Sequence, residues 1–504
     1  MASLDLYRGN GSWPYSLGIA TISGVVLHVF YLRWFEHHMY GVRYLQTISS
    51  LFAGAVFCLV KGLSFPPHAA FGFVWMHGSA CFLGLYASLM AYRLFWHPLQ
   101  SFPGPFWARI TSLWFCTQIE NADAHKKMLA LHNTYGLFVR IGSSDLSITH
   151  PGGVQAVYGQ GSTCRKGSWY DEDWPRASLH TTRDHAWHKQ RRRIWSPAFS
   201  DKALRAYEPR IRQYNERFQS QMLKLAGQPI NVSHWFNYYS FDVMGDLAFN
   251  KDFGMLANGE SHWAVSLLSE ALAIQGLKLP TWIFRLLLAI PGLAHKYWKF
   301  IGYCDEKLDN RMKEGSQGDS DIMATLLAAA NHKPGQQLAP QEDMTLRSDS
   351  RTIIVAGSDT TAATLTHIFY YLARDQSVFK TLQDELIHLQ DDASKDVDHR
   401  DLQKAEYLNA VINETLRLHP VVPTALSRKT PPEGIMVGDT FIPGNMTVWC
   451  PQYVISRDEA NYMRAEAFVP ERWSSKPDMI KDATGYAPFS TGKSRTAYVV
   501  DFMA

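Results

Sequence analysis

Apolar positions along the chain fall into three patterns, and each predicts a different kind of element. The first pattern is continuous. Residues 15–30, 47–60 and 71–90 are apolar runs closed off by cations: Arg33 and Arg43, then Lys61, then Arg93. The first and third are long enough to cross a bilayer as helices, whereas the second is short and crosses only if Lys61 snorkels toward the headgroups. Three crossings put the N-terminus, with the sequon Asn10-Gly11-Ser12, on the opposite side from the downstream chain. Arg33 and Arg43 then share the downstream side, as the positive-inside rule asks. Two other readings use the same residues. A signal peptide would need a small-residue cleavage site that the first run lacks, and His28 and His77 interrupt the runs as they would in buried soluble helices. His97-Pro98 and then Phe102-Pro103-Gly104-Pro105 cannot continue a helix. The chain therefore divides into a membrane anchor, residues 1–97, with one to three transmembrane helices, and a globular domain, residues 98–504.

The second pattern, with helical spacing, dominates that domain. It predicts helices over 122–135, 183–193, most of 204–311, 344–375 and 402–418, with a surface loop at 315–320. The third pattern alternates. It is confined to short stretches, a hairpin at 137–142 and 146–149 and extended chain at 421–427 and 448–451. The fold class is mainly α with small β sheets. Within the long helix 344–375, Ala356-Gly357-Ser358-Asp359-Thr360-Thr361 interrupts the apolar run. Either Gly357 ends one helix and Asp359 or Thr360 caps the next, or Gly357 lets a ligand approach while Asp359 and Thr360 pass it protons.

Composition changes this picture little. The formal net charge of +3 makes no case for nucleic-acid binding. The six cysteines are scattered, with no CxxC, so neither a zinc site nor a disulfide framework is indicated, and a reducing compartment suits the domain after the anchor.

Candidate chemistry lies in four further places. In the basic helix, His188 and Arg192 share a face at i,i+4 and can hold an anion together, although such a run is often only a solvated surface. Glu414 and Arg417, at i,i+3, form a pair that adds little if exposed and fixes geometry if buried. Arg428 follows His419-Pro420 and an extended stretch; Pro470-Glu471-Arg472-Trp473 and Ala487-Pro488-Phe489-Ser490-Thr491-Gly492 come later. The aromatic loop at 166–179, with Trp169, Tyr170 and Trp174, and the apolar stretch 272–290 are expected to shape an entrance for a hydrophobic substrate.

In this order the motifs resemble a cytochrome P-450, a fungal microsomal haem-thiolate monooxygenase of secondary metabolism. The likeness covers nearly everything from Pro98 to Gly492. It implies that Asp359 and Thr360 relay protons to iron-bound dioxygen beside an oxygen pocket opened by Gly357. It implies that Glu414, Arg417 and Arg472 form a buried structural triad, and that His188, Arg192 and Arg428, with Phe489 and Gly492, hold haem b. Lys189, Arg191 and Arg193 would then face an acidic reductase. Electrons would come from NADPH through NADPH-cytochrome P-450 reductase, the substrate would be a hydrophobic small molecule, and the enzyme would sit in the endoplasmic reticulum membrane with its catalytic domain cytosolic.

One departure matters. The family pattern asks for a cysteine four residues past Gly492, and that position is Thr496. No other cysteine has the right context, Cys450 lying in an extended stretch. The expectation is a sequence truncated or frameshifted before the haem-ligand cysteine, so that no metal ligand is assigned. Two alternatives follow: a catalytically inactive relic without thiolate-ligated haem, or a non-redox binder of hydrophobic ligands.

Overall fold

The computed structural model describes residues 13–314, 321–389 and 399–492. The surface loop expected at 315–320, the sequon at Asn10 and the chain from Lys493, Thr496 included, lie outside the described residues. The chain forms two compact units, one made of residues 1–117, 140–146 and 278–294, the other of 118–139, 147–277 and 295–504.

The first unit holds three helices long and apolar enough to cross a membrane, Pro14–Leu32, Gly41–Gly62 and Pro67–Trp96. The second is longer than its apolar run because its first turns, from Gly41, are more polar but still helical. The first and third pack closely along their length. Gly24 lies against the backbone of Cys81, and Gly84 against that of Thr21, so closely that neither has room for a Cβ. His77 reaches Ser16 at 3.1 Å, and His28 reaches Ser88 at 2.8 Å. Early residues meet early and late meet late, so these two helices run parallel. Small residues that let backbones touch and polar pairs across the seam are the usual means of holding helices together in lipid. After the third helix the chain turns at His97, whose ring accepts from Leu99 N at 3.1 Å, and Arg140 N donates to Pro103 O at 2.7 Å.

The same unit contains the helix Thr281–Ala289, packed on the helix Gly41–Gly62. Trp282 and Ile290 are exposed. The apolar stretch 272–290 is therefore not one pocket wall. Its first part ends the helix Trp263–Gly276, and residues from Lys278 on belong with the anchor helices.

The second unit is built on the helix Pro340–Arg374, the central helix, which runs unbroken through Gly357 to Thr361. The capping alternative is thereby removed. Thr360, Thr361, Thr364 and Thr366 each donate to the carbonyl four residues back, which satisfies their hydroxyls without stopping the helix. The helix Val232–Phe249 lies along it, and Trp195, Tyr207, Phe241, Leu247, Ile353 and Ile354 are among the core side chains. Each such burial contributes about 1.5–3 kcal/mol relative to exposure. The helix expected at 402–418 is two pieces, His399–Leu402 and Glu406–Leu418. The strand Arg428–Lys429 pairs antiparallel with Arg165–Lys166 on one side and with Thr447–Trp449 on the other. Mainly helical architecture with small sheets is what the apolar spacing predicted.

Candidate functional site

Two groups of charged residues occupy the interior of the second unit near the predicted motifs. The first is closed on itself. Glu414, Arg417 and Arg472 are all fully buried. Glu414 accepts from Arg417 Nε at 2.8 Å and Nη2 at 2.9 Å, and from Arg472 Nε at 3.0 Å. Val469 N and Trp473 Nε1 donate to it as well, at 2.8 and 2.9 Å. Both guanidiniums spend their remaining donors on carbonyls of residues 456–467. The triad joins the helix Glu406–Leu418 to the loop carrying Pro470–Trp473.

The second group is open. Lys166 and Arg428 stand directly opposite each other in the two-residue ladder, 7% and 3% exposed. Like charges so placed repel, and neither forms an ion pair with any described residue. Lys166 Nζ donates to His180 O at 2.5 Å and Leu179 O at 3.4 Å and lies over the Tyr170 ring. Arg428 Nη1 donates to Tyr170 Oη at 2.9 Å and to Ser427 O at 3.1 Å. Its guanidinium lies 5.0 Å from the Tyr158 ring centroid. Burial, with Arg428 opposite, brings Lys166 down to about 7. His188 belongs to the same neighbourhood and is brought down to about 4 by burial, then by Lys166, Arg192 and other nearby cations. His180 falls to about 3 for the same reasons. Ser427 Oγ is buried with no hydrogen-bond partner. A concentration of cations without an anion suits a ligand carrying carboxylates, and two facing cations suit two of them.

Gly492 adjoins this group. Its φ is +70°, and a Cβ there would collide with Tyr158 O. Phe489, three residues earlier, is half-buried. The structure thus brings together Lys166, His188, Arg428 and Gly492, with Arg192 one turn beyond His188 on the helix His185–Trp195.

On the central helix, Asp359 and Thr360 are half-buried. Burial raises the Asp359 carboxyl above its ordinary range. Thr360 Oγ1 donates to Ala356 O at 2.6 Å, leaving its lone pairs to accept from elsewhere. Gly357 is buried, and a Cβ there would run into the side chain of Met244 on the helix Val232–Phe249, so its missing side chain lets the two helices pack closely.

Two further expectations are corrected by burial. Lys189 and Arg193 are exposed, as a docking face requires, but Arg191 is not. It is 3% exposed and donates to Asp349 Oδ2 at 2.7 Å and Glu342 Oε1 at 2.8 Å. Asp349, fully buried on the central helix, also accepts from Trp195 Nε1 and Leu179 N, both at 3.0 Å. Tyr170 is buried in the cation group instead of lining an entrance, while Trp174 is exposed. Lys166, Tyr170 and His180 escaped sequence reasoning as site residues. The signal for them was slight: a lysine and a tyrosine near the start of an aromatic loop that also carries Asp171, Glu172 and Asp173. Among the described residues no cluster of His, Cys, Asp and Glu could hold a metal ion, and all six cysteines are free.

Comparison with known proteins gives the family. The family profile described as Cytochrome P-450 matches residues 101–495. The chain is 42% identical over 473 residues to the cytochrome P-450 monooxygenase notG' of Aspergillus versicolor, covering 94% of this chain and 86% of that one. It is 42% identical over 484 residues, with the same coverage, to a protein of Aspergillus fumigatus named Tryprostatin B 6-hydroxylase. To the monooxygenase sthD of Phaeosphaeria nodorum it is 46% identical over 416 residues, 81% of this chain and 86% of the relative. The similarity therefore runs through the central helix, the buried triad and the cation group alike, and the chain belongs to the cytochrome P-450 family.

Proposed function

We propose that this protein is a membrane-anchored monooxygenase that hydroxylates a hydrophobic small molecule of fungal secondary metabolism. The observation that carries the site assignment is the buried pair Lys166 and Arg428, two cations facing each other with no carboxylate among the described residues to neutralise them. With His188 and Arg192 they would hold the two carboxylates of a haem, which when bound supplies dioxygen activation. Around it this chain's residues have separate tasks. Asp359, whose carboxyl burial shifts above its ordinary range, would take up and give back a proton within a half-buried stretch of helix. Thr360 Oγ1, already donating to Ala356 O, accepts a proton and hands it on. Glu414, Arg417 and Arg472 fix the scaffold. Exposed Lys189 and Arg193 would receive the acidic face of NADPH-cytochrome P-450 reductase. The parallel packing of the first and third anchor helices requires the intervening helix to return across the bilayer. This supports three spans, which we assign to the endoplasmic reticulum membrane with the catalytic domain cytosolic.

The relatives' names and the paired Asp359 and Thr360 favour an oxygenase over a mere carrier, which has no use for proton-handling groups. Thr496 is the single residue against it, because threonine cannot replace a thiolate. The deciding experiment is the reduced, carbon-monoxide-bound spectrum of the chain and of Thr496→Cys. A thiolate-type Soret band in the variant but not in the parent is expected. Haem retained by neither would end the reading. In the Thr496→Cys background, Thr360→Ala should raise peroxide released per product formed several-fold; unchanged coupling removes Thr360 from the proton route.

A further inference from the structure

We propose that capture of a dicarboxylate porphyrin by this fold is coupled to uptake of one proton by Lys166, so that affinity falls as pH rises above neutrality. The inference rests on the haem reading above and deepens it by naming a control on that same site. Lys166 is the cross-strand partner of Arg428, and both are buried. The groups that act electrostatically on Lys166, His180 and His188 are lysine, arginines and histidines. His188 approaches from the helix His185–Trp195, with Arg192 behind it, and His180 packs against Tyr170 from the end of the aromatic loop. Arg351 approaches His180 from the central helix. Arg183 donates to Lys166 O at 3.0 Å and takes the Asp171 carboxylate for itself.

A proton on Nζ is therefore opposed until an anion arrives. The amine loses nothing by being neutral, since an uncharged nitrogen still donates to His180 O and Leu179 O. Burial and the surrounding cations hold His180 near 3 and His188 near 4, so both stay neutral at ordinary pH. With Lys166 near 7, it is the group in this cluster whose charge changes close to neutrality. A carboxylate set beside it favours the ammonium and raises its pKa. Binding above neutral pH then takes a proton from solvent onto Nζ, with no bond made or broken elsewhere.

Iron-free protoporphyrin IX is the probe, because its binding calls on the carboxylate cradle and not on an axial ligand. The full chain in lipid nanodiscs is titrated by tryptophan quenching from about pH 6 to about pH 9, where porphyrin carboxylates stay ionised. Calorimetry in buffers of different ionisation enthalpy counts the protons. The expected result is a Kd that rises up to about tenfold per pH unit above neutrality, with close to one proton taken up per porphyrin. The dimethyl ester of the same porphyrin should bind weakly and without pH dependence. Lys166→Met should flatten the profile at reduced affinity. Lys166→Arg, which keeps the charge and guards against a folding defect in the first variant, should keep affinity and lose the slope. A flat profile in the parent, or the parent's slope persisting in either variant, overturns the coupling while leaving the haem reading intact. No porphyrin bound at any pH overturns both.

Discussion

Glu414 with its two arginines and Lys166 with Arg428 are both buried charged clusters of the second unit, and they are built on opposite plans. In the first, one carboxylate accepts five donors and is shared by two guanidiniums whose other donors go to backbone carbonyls. In the second, two cations meet in a strand ladder, and no described residue supplies a carboxylate to either. A compensated cluster is a fixture, since removing one member strands the others. An uncompensated cluster is strain kept for a ligand, and losing a member relieves the unliganded chain. A similar contrast recurs on the central helix. Burial raises both carboxyls, but at Asp349 it is opposed by Arg191, Trp195 and Leu179 N, whereas at half-buried Asp359, ten residues on, it acts alone.

The comparison breaks most easily at Glu414. Glu414→Gln leaves two buried guanidiniums without a counter-charge and should cost about 3–5 kcal/mol. The thermal midpoint should drop by many degrees, with little soluble protein recovered; a midpoint within a degree or two of the parent would mean that the triad is not a fixture. Asp349→Asn should cost less, about 2–3 kcal/mol, because the amide keeps hydrogen bonds and Glu342 still faces Arg191.

Lys166→Met should have the opposite sign and stabilise the porphyrin-free chain by about 1–3 kcal/mol at slightly acid pH. The pH dependence sharpens this. Folding lowers Lys166 to about 7, so between there and its ordinary value the unfolded chain binds more protons. Stability of the parent therefore rises with pH across that window. Urea midpoints of parent and variant should converge as pH rises, and parallel curves would show that Lys166 is not the strained group. The smallest effect is expected for Asp359→Asn, within about 1 kcal/mol of the parent in urea unfolding. A loss as large as that of Asp349→Asn would place Asp359 among the fixtures.

The anchor runs, the central helix and the Glu414–Arg417 pair were legible in the sequence because each is a local pattern, whereas Arg472 joined the pair only through the family resemblance. Continuous apolar residues, a 3.6-residue period, and an acid and arginine on one helix turn declare themselves within a few residues. The packing of Gly357 against Met244 was not legible because Met244 lies on another helix, and a gap for packing and a gap for a ligand look alike in one dimension. Arg191 was misread for a similar reason: among the four cations Lys189, Arg191, Arg192 and Arg193 only the helix's docking against Asp349 selects which one turns inward.

What the amino-acid sequence determined by itself was which segments are helical, which can cross lipid, and which residues have the chemistry for proton handling and anion binding. Tertiary structure alone decided which charges are answered. Lys166 meets Arg428 only through strand pairing between distant parts of the chain, and the cost of a buried charge depends on what surrounds it in space, a quantity that no local spacing encodes.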